Sequence, residues 1–388
     1  MPYAPEDRVY HDADGHIMET PDWLLVWADE KTRSKLEPIK ISSVPTEDGP
    51  FIERMTEKHK DETYRARDKE EVMLRKNYSA IGSYMKEDRP YALDNMGFAS
   101  QLIFNTFVSS LLEKEENHGD IDLAYGMAEA HNRSMLDFCS VDKRLLSTCY
   151  IPLRDFDRAK RMAAEVIKNG ASALLIPSAC PNGHSPSHIR LHPVWAQAEE
   201  AGIPIVFHVG GGGMLMDPNY FETGMPKPPD FHGGAENFRA VDYMAIPNPP
   251  MQTLSAMIFD GIFEKFPGLK CGVIEQGAVW VPGWMRSLDA AFAAFNKNEP
   301  RLQQLSMMPS DYVRRQIRVT PYPAEPTGWI CEQAGKEVCL FSSDYPHVEG
   351  GRHPLKRFST ALEGCSEEIL DHFYTKNFED LMGRALAA

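Results

Sequence analysis

Four residues in the chain have the types and the placement of a divalent-metal site. Asp14 and His16 lie two apart in one short apolar run, so in a strand both side chains leave the same face. His208 ends the run PIVFHVGGGG, and Asp344 ends LFSSDYPH. Imidazole nitrogens and carboxylate oxygens that converge on one point are what a divalent cation requires. A single His or Asp at a strand end serves as readily as a cap or a satisfied core polar group. The reading therefore rests on the whole set. The glycines at 210–213 add to it, because they let the backbone approach an ion or substrate closely.

Further residues have two readings each. Glu19, three after His16, is a candidate ligand or base, or a charge at a helix N-terminus. His347, three after Asp344, is placed to bind metal, orient a ligand or contact substrate. His232, in FHGGAEN, reaches the site if that loop folds inward. Arg239 suits a substrate carboxylate, or an ordinary ion pair. Trp280, with Trp284, Met214, Met216, Met225 and Met244, lines a pocket or belongs to the core. His184, His188 and His192 have i, i+4, i+8 spacing, but the intervening prolines break the helix that such a metal site would need.

The elements that must position these residues are legible as alternating apolar runs and amphipathic stretches, the mark of parallel strands with crossover helices. Eight strands are expected, at 12–18, 100–107, 145–152, 171–177, 204–209, 270–275, 317–320 and 337–342. Runs such as ALLIP, PIVFHV, CGVI and VCLF are near-continuously hydrophobic, as in strands covered on both faces. Helices are expected at 155–169, 192–201, 250–266, 281–295 and 367–381, several stopped by glycine. The fold class is α/β: a (β/α)8 TIM barrel forming one domain over 1–388. Two insertions, 24–93 and 210–248, follow strand ends and so fall at the C-terminal, catalytic face.

Composition narrows the function. The chain has 388 residues and a net charge of −15, and no Lys/Arg block resembles a nucleic-acid face. No apolar run reaches the 18 residues of a membrane span. Seven cysteines without a CxxC spacing argue against a disulfide framework, and a reducing cytoplasm is the expected compartment.

The motifs DADGHIME, PSHIRLHPVWAQAEEAGIPIVFHVGGG, IFEKFPGLKCGVIEQGAVWVPGWMRSLD and FSSDYPHVEGG resemble the amidohydrolase superfamily. The resemblance is to the branch of metal-dependent decarboxylases and C–C hydrolases, and it covers most of the chain from residue 12 onward. It implies that Asp14, His16, His208 and Asp344 bind a divalent metal. The chain departs from many relatives twice. Asp14-Gly15-His16 replaces His-x-His, which hardens the site toward manganese or iron rather than zinc. Glu275, in VIEQGAVWVP, stands where many relatives have a catalytic His, and is a candidate acid/base or further ligand.

The resulting expectation is a metal-dependent hydrolase or non-oxidative decarboxylase acting on a small carboxylated or carbonyl-bearing molecule, with one or two ions of Mn, Fe or Zn. Two alternatives stand beside it: a non-haem iron oxygenase on the same fold, with one iron or with a dinuclear iron or iron/manganese site, and an inactive partner subunit. No nucleic-acid or membrane partner is expected. Self-association, or pairing with a related subunit, is.

Overall fold

A computed structural model describes residues 2–41, 51–210, 215–226 and 240–386 of the chain. Seven strands form one parallel sheet in sequence order: β1 (His11–His16), β2 (Ser100–Phe104), β3 (Leu145–Tyr150), β4 (Ala173–Leu175), β5 (Ile205–His208), β6 (Cys271–Ile274) and β7 (Ile317–Val319). Every residue of every strand is buried, which explains the unbroken apolar runs. Cys149 and Cys271 are buried in β3 and β6 as small hydrophobes.

The eighth expected strand, 337–342, is not a continuous strand. Its place is taken by an irregular segment that bonds to both edges of the sheet. Val319 N donates to Val338 O (2.8 Å) and Leu340 N to Val319 O (3.2 Å); on the other side Ala13 N donates to Phe341 O (3.1 Å) and His16 N to Tyr345 O (2.6 Å). The irregularity has a cause. Ser343 N donates to the side chain of Asp12 (2.7 Å) rather than to a backbone carbonyl, and β1 itself shifts register against β2 between Asp12 and Gly15.

The other strands lie where expected but stop sooner. Glu275 and Asp344 adopt positive φ (54° and 53°), outside the extended region, so the ladder ends just before each. The helices follow the sequence signals. Phe156–Lys168 starts at Asp155, whose side chain accepts from Asp157 N and Arg158 N, and it buries Ala159, Met162, Ala163 and Val166 in the core. The stretch expected as one helix at 250–266 is two, Asn248–Phe259 and Ile262–Lys265, separated by Gly261 at φ 75°. That at 367–381 is interrupted by a π-helical turn at His372–Lys376.

The first insertion contains short helices, including Trp23–Trp27, Phe51–Lys60 and Asp68–Glu71, and then Arg89–Met96. It has a small core of its own, in which Met18, Ile41 and Tyr78 pack with Phe51, Ile52, Met55, Tyr84 and Phe107. Met18 and Phe107 follow the ends of β1 and β2, so the insertion is seated on that face of the sheet. Of the second insertion, the described residues show a 3-10 turn at Pro218–Phe221 and a helix at Ala240–Ala245.

Gly15 lies against Gln101 so closely that a Cβ would come within 2.3 Å of its side-chain carbon. Gly15→Ala should therefore lower stability by about 1–3 kcal/mol. Urea unfolding followed by circular dichroism checks this, and an unchanged midpoint would show that the packing at Gly15 is not limiting.

Candidate metal centre

The ends of β1, β5 and β6 and the turn after the eighth segment place six candidate residues together. Donor atoms of Asp14, His16, His208 and Glu275 all lie within 4.8 Å of one another, and so do those of His16, Glu275, Asp344 and His347. The separations are short. His16 Nε2 is 3.1 Å from Asp14 Oδ1 and 3.6 Å from Asp344 Oδ1. His208 Nε2 is 3.3 Å from both Asp14 Oδ1 and Glu275 Oε2.

The other nitrogen of each imidazole decides what these distances mean. His16 Nδ1 is 2.9 Å from Asn105 O, and His208 Nδ1 is 2.8 Å from Val209 O. A carbonyl only accepts, so both Nδ1 atoms carry the proton. The Nε2 lone pairs then face carboxylate oxygens, an arrangement that is repulsive unless a cation lies between them. Burial holds His16 neutral, its pKa pushed down to about 4, with His347 adding to the effect. Neutral imidazole and ionised carboxylate are the forms that ligate. Asp14 Oδ2, His16 Nε2 and both Asp344 oxygens are buried with no hydrogen bond among the described residues. The donor set therefore fits a divalent ion.

His347 stands beside this cluster. Its ring stacks on His16 at 3.9 Å. Thr106 Oγ1 donates its one proton to Ile17 O (2.7 Å), so it accepts from His347 Nε2 at 2.8 Å. That leaves Nδ1, 3.0 Å from Asp344 Oδ1, facing the cluster. Burial opposes charge on His347, but Asp344 outweighs it and raises the pKa.

Glu19 belongs elsewhere. Its carboxylate accepts from the backbone N–H groups of Thr106, Phe107 and Val108 at 3.0–3.2 Å. These open the helix Val108–His118, so Glu19 caps a helix N-terminus and is not grouped with the donor atoms of the cluster; burial pushes its pKa up to about 7 against the pull of those amides. Trp280 donates its indole N–H to Gly277 O (2.8 Å) and Gln276 O (3.2 Å) and packs on Trp284, which anchors the turn after Glu275. His232, Arg239 and Met214 lie outside the described residues. Met225 and Met244 are exposed. His184 is bonded to the carbonyls of Ser185 and Leu153.

Sequence reading missed the group that holds β1 in place. Asp12 is wholly buried and accepts from Gln101 Nε2 (2.6 Å), Ser343 Oγ (2.6 Å) and Ser343 N (2.7 Å). Gln101 Oε1 accepts from Arg89 Nη2 (2.7 Å) and Nε (3.0 Å), and Arg89 Nη1 donates to His16 O (2.9 Å). Asp12 was visible in DADGH. A Gln inside SQLIF and an Arg far away in the insertion were the only signals of its partners. Tyr322, whose hydroxyl donates to Glu275 O (2.7 Å), was also missed.

The amidohydrolase family profile matches residues 108–383. The chain belongs to this family. No curated protein matches it. Among solved structures, an amidohydrolase from Mycobacterium avium subsp. paratuberculosis K-10 is similar at 20% identity and TM-score 0.75, covering 98% of this chain and 99% of that one. 5-Carboxyvanillate decarboxylase from Novosphingobium aromaticivorans DSM 12444, complexed with manganese and 4-hydroxy-3-methoxy-5-nitrobenzoic acid, matches at 16% and TM-score 0.64, covering 98% of each. Dihydroxybenzoic acid decarboxylase from Polaromonas sp. JS666, with manganese and 2-nitroresorcinol, matches at 15% and TM-score 0.62, covering 97% of each. At these identities the likeness is one of fold.

Two substitutions separate ligation from capping. His208→Ala should lose most of the bound metal in elemental analysis while remaining folded. Glu19→Ala should keep its metal and lose roughly 0.5–2 kcal/mol of stability. The reverse pattern would exchange the two roles.

Proposed function

We propose that this amidohydrolase is a divalent-metal-dependent enzyme that removes carbon dioxide, without oxidation, from a small carboxylated molecule, on a barrel of the (β/α)8 type. The observation that carries the reading is the pair of imidazole lone pairs, on His16 and His208, turned toward the carboxylates of Asp14 and Glu275. Two carboxylates with two imidazoles suit manganese or iron better than zinc. Decarboxylation is preferred to hydrolysis because solved relatives of the same fold are decarboxylases, two of them holding manganese.

Asp14, His16, His208 and Glu275 would hold the ion, with Asp344 completing the set. A divalent ion bound there supplies a Lewis acid for a substrate oxygen or for water. The protein's own residues do the rest. Asn105 and Val209 fix the tautomers that present Nε2. His347, with Nε2–H spent on Thr106, has Nδ1 free to hold a proton and deliver it to the carbon that loses the carboxylate. The insertion at 24–93, seated beyond β1 and β2, excludes water from one side.

One observation favours a second reading. The overlapping set of His16, Glu275, Asp344 and His347 offers a place for a second ion, and a dinuclear iron or iron/manganese oxygenase would use both. Two measurements separate the readings. Manganese-reconstituted protein incubated without oxygen with a panel of hydroxybenzoates and carboxyvanillates should release carbon dioxide at the aerobic rate. Metal titration of the stripped protein should saturate at one equivalent. Strict dependence on oxygen, with iron bound at two equivalents, would overturn the decarboxylase.

A further inference from the structure

Glu275 follows β6 at φ 54°, a backbone state that persists only when its surroundings hold it. The segment after β7 does the holding. Glu275 N donates to Thr320 Oγ1 (2.8 Å), and Glu275 O accepts from the Tyr322 hydroxyl (2.7 Å). A third hold comes from Glu325, which is only 7% exposed. Its Oε2 accepts from Ala278 N (2.8 Å) and Tyr322 N (2.9 Å), and its Oε1 from Val279 N (3.1 Å). One carboxylate thus ties the turn after β6 to the turn that carries Tyr322.

Glu325 does not serve as a helix cap. The next helix, Val281–Phe295, has Trp280 at its N-cap, and Ala278 and Val279 come before it. Each amide that Glu325 takes belongs either to the turn that starts at Glu275 or to the tyrosine bonded to Glu275. The packing there is tight. At Gly277, with φ 67°, a Cβ would come within 3.0 Å of both Glu325 Oε1 and the Tyr322 ring. The Tyr322 ring also packs on Tyr243, with centroids 5.1 Å apart, from the helix Ala240–Ala245. Glu325 itself is not among the donor groups of the centre.

We propose that Glu325 is a positioning residue for Glu275: by holding Ala278, Val279 and Tyr322 it keeps the Glu275 carboxylate in the donor cluster with His16 and His208. The inference rests on the metal-dependent reading of that centre.

Manganese titration of the metal-free protein by calorimetry tests this, together with a crystal structure of Glu325→Gln. Glutamine keeps the shape but turns an NH2 toward a backbone N–H, donor against donor. Glu325→Gln should weaken manganese binding about tenfold or more, the usual cost of removing a group that orients a ligand. Tyr322→Phe, which loses only the hydroxyl on Glu275 O, should weaken it several-fold, and it carries the titration should Glu325→Gln fail to fold. In a Glu275→Ala background neither change should shift the affinity by more than about twofold, since nothing is left to position. Glu116→Gln is the control for lost stability alone. That buried carboxylate accepts from Leu153 N (2.6 Å) and Arg154 N (3.1 Å) after β3, outside the donor cluster. Its loss should lower the unfolding temperature and leave manganese affinity intact. Unchanged affinity in Glu325→Gln and Tyr322→Phe, a loss equally large in the Glu275→Ala background, or a Glu325→Gln structure with the Glu275 carboxylate unmoved overturns the role. Failure of the metal reading looks different: a natural chain that takes up no manganese, beside a Glu325→Gln structure in which Glu275 has left the cluster, keeps Glu325 in its role and removes the metal.

Discussion

The buried relay from Arg89 through Gln101 to Asp12 is the constraint on which the site depends. A guanidinium and a carboxylate are both removed from water, and they do not touch. The Gln101 amide stands between them, its oxygen toward Arg89 and its nitrogen toward Asp12. Breaking a buried charge arrangement by removing one partner typically costs about 3–5 kcal/mol, because the other charge is left uncompensated. That cost pins four parts of the chain to one another. Arg89 holds the carbonyls of His16 and Gly82, Gln101 belongs to β2, and Asp12 reaches across to Ser343. The residues next to these anchors are Asp14, His16 and Asp344. The candidate ligands are thus aimed by a charge network set one layer back in the wall, and at Gly15 that network fills the space a side chain would need.

A second constraint is backbone strain at the site. Glu275 and Asp344 are two of the three non-glycine residues with positive φ among the described residues. A branched or bulky residue there would cost of order 1–3 kcal/mol. Both positions are over-determined by their neighbours. Glu275 N donates to Thr320 Oγ1 (2.8 Å) and its carbonyl accepts from Tyr322. Asp344 lies between Ser343, held by Asp12, and Tyr345, whose hydroxyl donates to Ile81 O (2.6 Å). With the backbone turned at these two positions, the carboxylates of Glu275 and Asp344 both lie in the donor cluster with His16.

What could be read in the sequence follows from the range of the interactions. Strands covered on both faces leave long apolar runs, so β1 to β7 were legible, and ligand-type residues at their ends were legible with them. The eighth strand misled because its apolar run is real but its hydrogen bonds are partly taken by a side chain, that of Asp12. Glu19 kept two readings because its partners, the amides at 106–108, lie some way along the chain at a helix start without a strong sequence signal. The same holds for Arg89 and Gln101. Each is an isolated polar residue whose meaning appears only when β1 and β2 pair.

The charge balance of the centre links the proton to the number of ions. Asp14, Glu275 and Asp344 bring three carboxylates to one place, while His16 is held neutral by burial. One divalent cation leaves a single negative charge, which a proton on His347 Nδ1 cancels. A second cation would use that same nitrogen, since Nε2 already donates to Thr106. Nδ1 can carry a proton or face a metal, but not both. A mononuclear site therefore keeps its proton donor, and a dinuclear site gives it up. Thr106 is what enforces the choice. Its hydroxyl proton is committed to Ile17 O, so the imidazole cannot turn its tautomer around and offer the proton from the other side. On the proposed reading, one ion leaves His347 Nδ1 to carry the proton, and a second ion would take that nitrogen.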